Sequence, residues 1–190
     1  MYNLVIFGPP GAGKGTQSAK IIEKYNLAHI STGDMFRMHI TENTPLGQKV
    51  KSLLDEGILV PDSITIEMLE EEVNNNPDVS GFIFDGFPRT IAQAEALDAF
   101  LASKNEQINT VIKLEVSEEV IKERIAERKK TSGRADDDET KLVKRIDEYF
   151  QKTVHVLPYY EQQGKLQIVK GVGEIENIFS DICEVIDQAK

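Results

Sequence analysis

The chain holds one cysteine, Cys183, in 190 residues. That excludes an internal disulfide and any metal site built on several cysteines, and it suits a reduced, cytoplasmic setting. Positive charge is also in short supply, the formal net charge being −10. An acidic surface repels phosphate backbones, so nonspecific nucleic-acid binding is not expected, and any anion site must come from a local cluster of cations and backbone N–H groups. The apolar runs span only a few residues each, far short of the ~20 that cross a membrane. No signal peptide, internal repeat or low-complexity linker is visible. What remains is an ordinary soluble composition, 40% hydrophobic and 28% charged, with length for one ordinary domain or one core with small insertions.

Short apolar runs alternate with helical patterns. "YNLVIFG", "AHIS", "GFIFDG", "TVIKLEV" and "LQIVKG" read as five strands, separated by helix-like sequence. Such alternation predicts an α/β fold with a five-stranded parallel sheet, and continuous apolar runs predict strands covered on both faces. In "TPLGQKVKSLLDEG" Thr44 is the expected N-cap, Pro45 the first helical residue and Gly57 the stop. A helix should follow Ser117, with glutamates in its first turn and lysines in its last. The closing stretch predicts an amphipathic helix with Ile175, Ile178, Phe179, Ile182 and Ile186 at core spacing, and Cys183 as a small core residue. Asp136, Asp137 and Asp138 read as a solvated helix start, and the glutamates at 70 to 72 as a solvated face.

The first strand runs into "FGPPGAGKGTQ". Residues 8 to 14 match G-x-x-x-x-G-K, the pattern of a loop that wraps a phosphate with inward-pointing N–H groups. Glycine permits the backbone angles and leaves no side chain in the way. The helix after it offers its positive end to the anion, and Lys14 adds a full charge. The usual hydroxyl directly after the lysine is displaced by one, because Gly15 intervenes before Thr16.

That displacement is a subfamily mark. "GPPGAGKGTQ" resembles the P-loop of the nucleoside monophosphate kinases, the adenylate kinases above all. Downstream, "STGDMFR", "DEGILVPD", "FDGFPRTIAQ" and "SGRADDDETKLVKR" resemble further motifs of that family, in order and across essentially the whole chain. The resemblance implies a P-loop three-layer α/β/α core (1–30, 61–126 and 138–190) carrying two small mobile insertions. One is an AMP-binding segment at 31–60, the other a short lid at 127–137. It implies ATP contacts from Gly11, Ala12, Gly13, Lys14, Gly15, Thr16, Arg124, Arg128 and Gly173. AMP contacts would come from Thr32, Arg37, Ile58, Leu59, Val60, Gly86, Phe87, Pro88, Arg89, Gln93, Arg134 and Arg145. Asp85, at a strand end, and Asp34, at the rim, would hold Mg²⁺ through water. A lid without cysteine implies no structural zinc. Thr32, where relatives taking UMP or CMP typically carry alanine, and Gln93, as the adenine-reading glutamine, favour AMP. The family is commonly monomeric.

The chemistry of such a site is the alignment of two repelling polyanions. Lys14, Arg89, Arg124, Arg128, Arg134 and Arg145 are the expected catalytic cations. Arg124 and Arg128, four apart on one helix, share a face. The acceptor phosphate is largely ionised at neutral pH, so no general base is required. His29, His39 and His155 lie outside the motifs and read as structural. The expected reaction is ATP + AMP ⇌ 2 ADP, with an "Asn-Lys-x-Asp" guanine motif absent from the sequence.

Overall fold

The computed structural model describes residues 1–56, 58–129 and 139–189. Five strands, β1 (Asn3–Phe7), β2 (Ala28–Ser31), β3 (Phe82–Asp85), β4 (Ile108–Glu115) and β5 (Leu166–Lys170), form one sheet of order β2-β3-β1-β4-β5. Every pairing is parallel. All five expected strands are present: β1, β3 and β4 are runs rich in β-branched and aromatic residues, and the shorter or more polar β2 and β5 are bounded by turns.

The central strand shows why the sheet needs two covering layers. Side chains alternate along a strand, so Leu4 and Ile6 of β1 face one core and Val5 and Phe7 the other. The first core is closed by α1 (Lys14–Tyr25) through Ile21 and by α9 (Ile175–Ala189) through Ile178, Ile182 and Ile186. The second is closed by α4 (Asp62–Asn74), α5 (Ile91–Ser103) and α8 (Leu157–Glu161), through Leu69, Leu97, Leu101 and Tyr160. The result is a three-layer α/β/α fold. Burial on both faces holds for β1, whose five residues are all buried. It fails at the edge strand β5, where Ile168 is 57% exposed, because only one side of an edge strand has a neighbour.

Residues 31–60 and the first half of α4 build a third, smaller core. Helices α2 (Thr32–Thr41) and α3 (Pro45–Asp55) bring Phe36 and Val50 together with Val60 and Met68. Thr44 caps α3 by accepting from the Gly47 N–H at 3.1 Å, with Pro45 following it. Gly57, the expected stop, lies outside the described residues, and α3 ends at Asp55. The remaining helices are α6 (Glu118–Lys129), which begins after Ser117 with Glu118 and Glu119 in its first turn, and α7 (Glu139–Gln151). Asp136, Asp137 and Asp138 are outside the described residues.

Two expectations for α9 divide. Cys183 is buried with Ile178, Ile182 and Ile186, whereas Phe179 is only partly so. Ile175 is not a core residue: it is 48% exposed, since it opens the helix where α9 leaves the sheet and faces the cleft described next.

Candidate active site

In a parallel sheet, ligands bind beyond the carboxyl ends of strands where the chain direction of travel reverses. Here β1 leads across β3 to β2, and β3 leads back across β1 to β4. The loops after β1 and β3 therefore face each other, and a cleft of about 830 Å³ opens between them.

The loop after β1 supplies the floor. Gly11 (φ 84°) and Gly13 (φ 93°) adopt left-handed angles that residues with a Cβ disfavour. Gly13 caps α1 with no side chain, so the first N–H groups of the helix face the cleft rather than a capping hydroxyl. A Cβ on Gly15 would meet nothing within 4 Å, which leaves open space over the loop. Lys14 Nζ donates to the Gly8 carbonyl at 2.7 Å and the Pro9 carbonyl at 3.3 Å, holding its charge against the loop.

The loop after β3 supplies the opposite wall. Arg89 Nε donates to the Gly86 carbonyl at 2.6 Å, and Thr32 Oγ1 donates to the same carbonyl at 3.0 Å. Gly86 (φ 79°) is confined between them, since a Cβ there would stand 3.0 Å from both Arg89 Nη2 and Thr32 Oγ1. From the third side, Arg124 braces the cleft. Its Nη1 donates to the Ala12 carbonyl at 3.1 Å and its Nη2 to the Gly171 carbonyl at 2.8 Å. Arg145, from α7, also lines the cleft, so Lys14, Arg89, Arg124 and Arg145 share one cavity in an acidic protein.

Asp85 ends β3 within this cationic ring. Burial alone would push its carboxyl up, but the His29 imidazole, with Nε2 3.8 Å away, and the charges of Lys14 and Arg89 outweigh that and hold it below the usual carboxylate range. The cleft's oxygen donors (Asp85, Asp34 and the exposed Thr16 hydroxyl) are the hard ligands that suit Mg²⁺. Asp34 sits in the first turn of α2 and is ion-paired with Arg37 on the same helix, and both line the cleft.

Gly11, Ala12, Gly13, Lys14, Gly15, Thr16, Asp34, Arg37, Asp85, Gly86, Arg89, Arg124, Arg145 and Gly173 thus border one space. Thr32, Ile58, Leu59, Val60 and Gln93 border an adjoining recess of about 40 Å³, joined to the cleft through Gly86 and Arg89. Pro88 and the buried Phe87 border a third cavity of about 60 Å³ beneath the P-loop. Arg128 lies in the last turn of α6, and Arg134 is outside the described residues. Several cleft residues carried no site role in the sequence reading, among them His29, Gln17 and Ile175. His29 was read as structural, yet it lines the cleft beside Asp85. Gln17 is buried and its Nε2 donates to the Ile175 carbonyl at 3.1 Å. Ile175 itself was assigned to the core. His29 stands in β2, Gln17 in the first turns of α1 and Ile175 at the start of α9, and only the closure of the sheet brings them together.

A glycine-rich loop between strand and helix, facing a second cationic loop across a switch point, defines a P-loop phosphate-binding α/β protein. Residues 6–165 match the family model for adenylate kinase. The chain is 52% identical to the adenylate kinase of Flavobacterium psychrophilum over 98% of its own length and 99% of the relative's. It is 46% identical to that of Bacteroides thetaiotaomicron, over 99% and 100%, and 44% identical to that of Caulobacter vibrioides, over 97% of both. The chain belongs to the adenylate kinase family.

Proposed function

We propose that this protein catalyses ATP + AMP ⇌ 2 ADP and so balances the adenine nucleotides. The observation that carries the reading is the cleft lined on one side by the P-loop and on the other by Gly86 and Arg89, with Thr32 bonded to the Gly86 carbonyl in the recess that joins it. In the forward direction a phosphate oxygen of AMP bonds to the γ-phosphorus of ATP. The bond from that phosphorus to the β,γ-bridging oxygen breaks, and ADP leaves with the electron pair.

The N–H groups of the loop and Lys14 cradle the donor phosphates, while Arg89 and Arg37 hold the acceptor phosphate. Arg124 and Arg145 neutralise the group in transfer, joined by Arg128 and Arg134. AMP at neutral pH is already largely a dianion, so the site needs alignment and charge rather than a base. Gly173 would meet the donor adenine, and Ile58, Leu59, Val60 and Gln93 the acceptor base and ribose. Asp85 and Asp34 would hold Mg²⁺ through water, and the ion would supply neutralisation of the donor's phosphate charge.

Water competes as acceptor, so the site must close before transfer. Segment 31–60, whose small core leans on Met68 of α4, would close over AMP. Residues 127–137, of which 130–137 lie outside the described residues, would close over ATP. The protein acts as a cytoplasmic monomer on small molecules. No helix among the described residues is long and apolar enough to cross a membrane. A coupled assay with AMP, CMP, UMP and GMP as acceptors tests the reading. Fastest turnover with AMP is expected, and faster turnover with CMP, or no ADP from any acceptor, would overturn it.

A further inference from the structure

Gln93 is 2% exposed at the edge of the acceptor recess, and both ends of its carboxamide are held. Its Oε1 accepts from the Arg89 backbone N–H at 2.7 Å. Its Nε2 donates to Asp62 Oδ1, also at 2.7 Å. The other Asp62 oxygen accepts from Thr90 Oγ1 at 2.9 Å, and that hydroxyl in turn accepts from the Gln93 N–H at 3.2 Å. A backbone N–H can only donate and an ionised carboxylate can only accept, so the two partners allow one orientation of the amide. Reversal would set an NH₂ against the Arg89 N–H and a carbonyl oxygen against a carboxylate. Each end of the locked amide keeps one unused function, a lone pair on Oε1 and an N–H on Nε2.

We propose that Asp62 sets the base selectivity of the acceptor site by locking the Gln93 carboxamide in the orientation that reads an amino-substituted base edge. This rests on the reading of Gln93 as the residue that meets the acceptor base. A lone pair beside an N–H complements the amino group and adjacent ring nitrogen of adenine. It opposes the carbonyl and adjacent ring N–H of hypoxanthine, guanine or uracil. The reversed amide has the opposite preference. Asp62 borders neither the cleft nor the recess, so it is a positioning residue, and discrimination by the amide is only as strong as the penalty for turning it over. The Arg89 N–H is fixed by the backbone. Asp62 is the half of the lock that a side-chain change can remove.

The test compares kcat/KM for AMP and for IMP in the wild type, Asp62→Asn, Asp62→Glu, Thr90→Val and Gln93→Leu, with ATP as donor. Asparagine can accept or donate, so Asp62→Asn should lower the AMP:IMP ratio by about tenfold, the loss expected when a charged acceptor no longer enforces the bond. The change should arise from both sides, AMP weakening and IMP improving, with KM for ATP unchanged. Asp62→Glu should restore much of the ratio. Thr90→Val removes the other bond to the same carboxylate and should lower the melting temperature while leaving the ratio intact. Should Asp62→Asn not fold, Asp62→Ser carries the same expectation. An unchanged ratio in folded Asp62→Asn or Asp62→Ser, alongside a collapsed ratio in Gln93→Leu, would overturn the lock and spare the base-reading role. An unchanged ratio in Gln93→Leu would overturn both. An equal fall for AMP and IMP in Asp62→Asn would reduce Asp62 to a structural residue and also overturn the proposal.

Discussion

The two walls of the cleft are built from different materials. The donor wall is backbone: Gly11 and Gly13 at left-handed angles, the uncapped start of α1, and Lys14 lying against the carbonyls of Gly8 and Pro9. The acceptor wall is a network of side chains: Thr32 and Arg89 on one carbonyl, then Gln93, Thr90 and Asp62 in succession. A triphosphate tail presents only charge and oxygen, which N–H groups satisfy without regard to the base it carries. The acceptor must be recognised as a nucleotide, and that demands donors and acceptors in a fixed order. Backbone suits the first task and side chains the second.

Substitutions can set the walls against each other. The largest effect is expected at Arg89, which borders the cleft and both smaller cavities. Arg89→Ala should lower kcat/KM by about 10³-fold, the scale of losing a charge that acts on the transferring group. Circular dichroism and melting should show the fold intact, because the side chain lies at the cleft, where it bonds the Gly86 carbonyl, and not in the packed core. Next come the two glycines. Gly86→Ala forces a Cβ to 3.0 Å from Arg89 Nη2 and Thr32 Oγ1 at φ 79° and should raise KM for AMP about tenfold with little change for ATP. Gly13→Ala, at φ 93°, should do the reverse by about the same factor. If either substitution disturbed both nucleotides equally, the division between the walls would be lost.

The smallest effect concerns Tyr149, on α7 beneath the cleft. Burial pushes its hydroxyl up to about 12. The unfolded chain ionises such a group near pH ~10. Between those values the unfolded state has released the proton and the native state has not. Stability contributed by the neutral hydroxyl is therefore complete below pH ~10 and declines as pH rises toward 12. Tyr149→Phe should flatten that alkaline decline in melting temperature and leave the curve at neutral pH nearly unchanged.

The same contrast explains what was legible in the sequence. All five strands could be read, because a parallel sheet demands contiguous apolar runs and glycine marks where they end. The P-loop could be read because its chemistry is local: strand, loop and helix occur within about twenty residues of one another. The arginines were placed by their motifs, and the sheet brings Arg89, Arg124 and Arg145 to one cavity from β3's loop, α6 and α7. His29 and Ile175 escaped because nothing near them in sequence marks them, whereas Gln17 closes the P-loop stretch and escaped because its partner, the Ile175 carbonyl, is 158 residues away. His29 is one residue of a strand, and its importance arises only from Asp85 on the neighbouring strand. Ile175 has the spacing of a core residue, and it is exposed because the helix begins before the sheet's cover does. Asp62 stood within the quoted "DEGILVPD" without a role, since its partner Gln93 is 31 residues away.

The central claim is that the P-loop and the Arg89 wall hold two nucleotides at once, phosphate to phosphate. Isothermal titration with two adenosines joined by five phosphates tests it most directly. One molecule should bind per chain, far more tightly than ATP or AMP alone, and should exclude both. Binding no tighter than ATP, or binding that leaves the AMP site free to fill, would contradict the account.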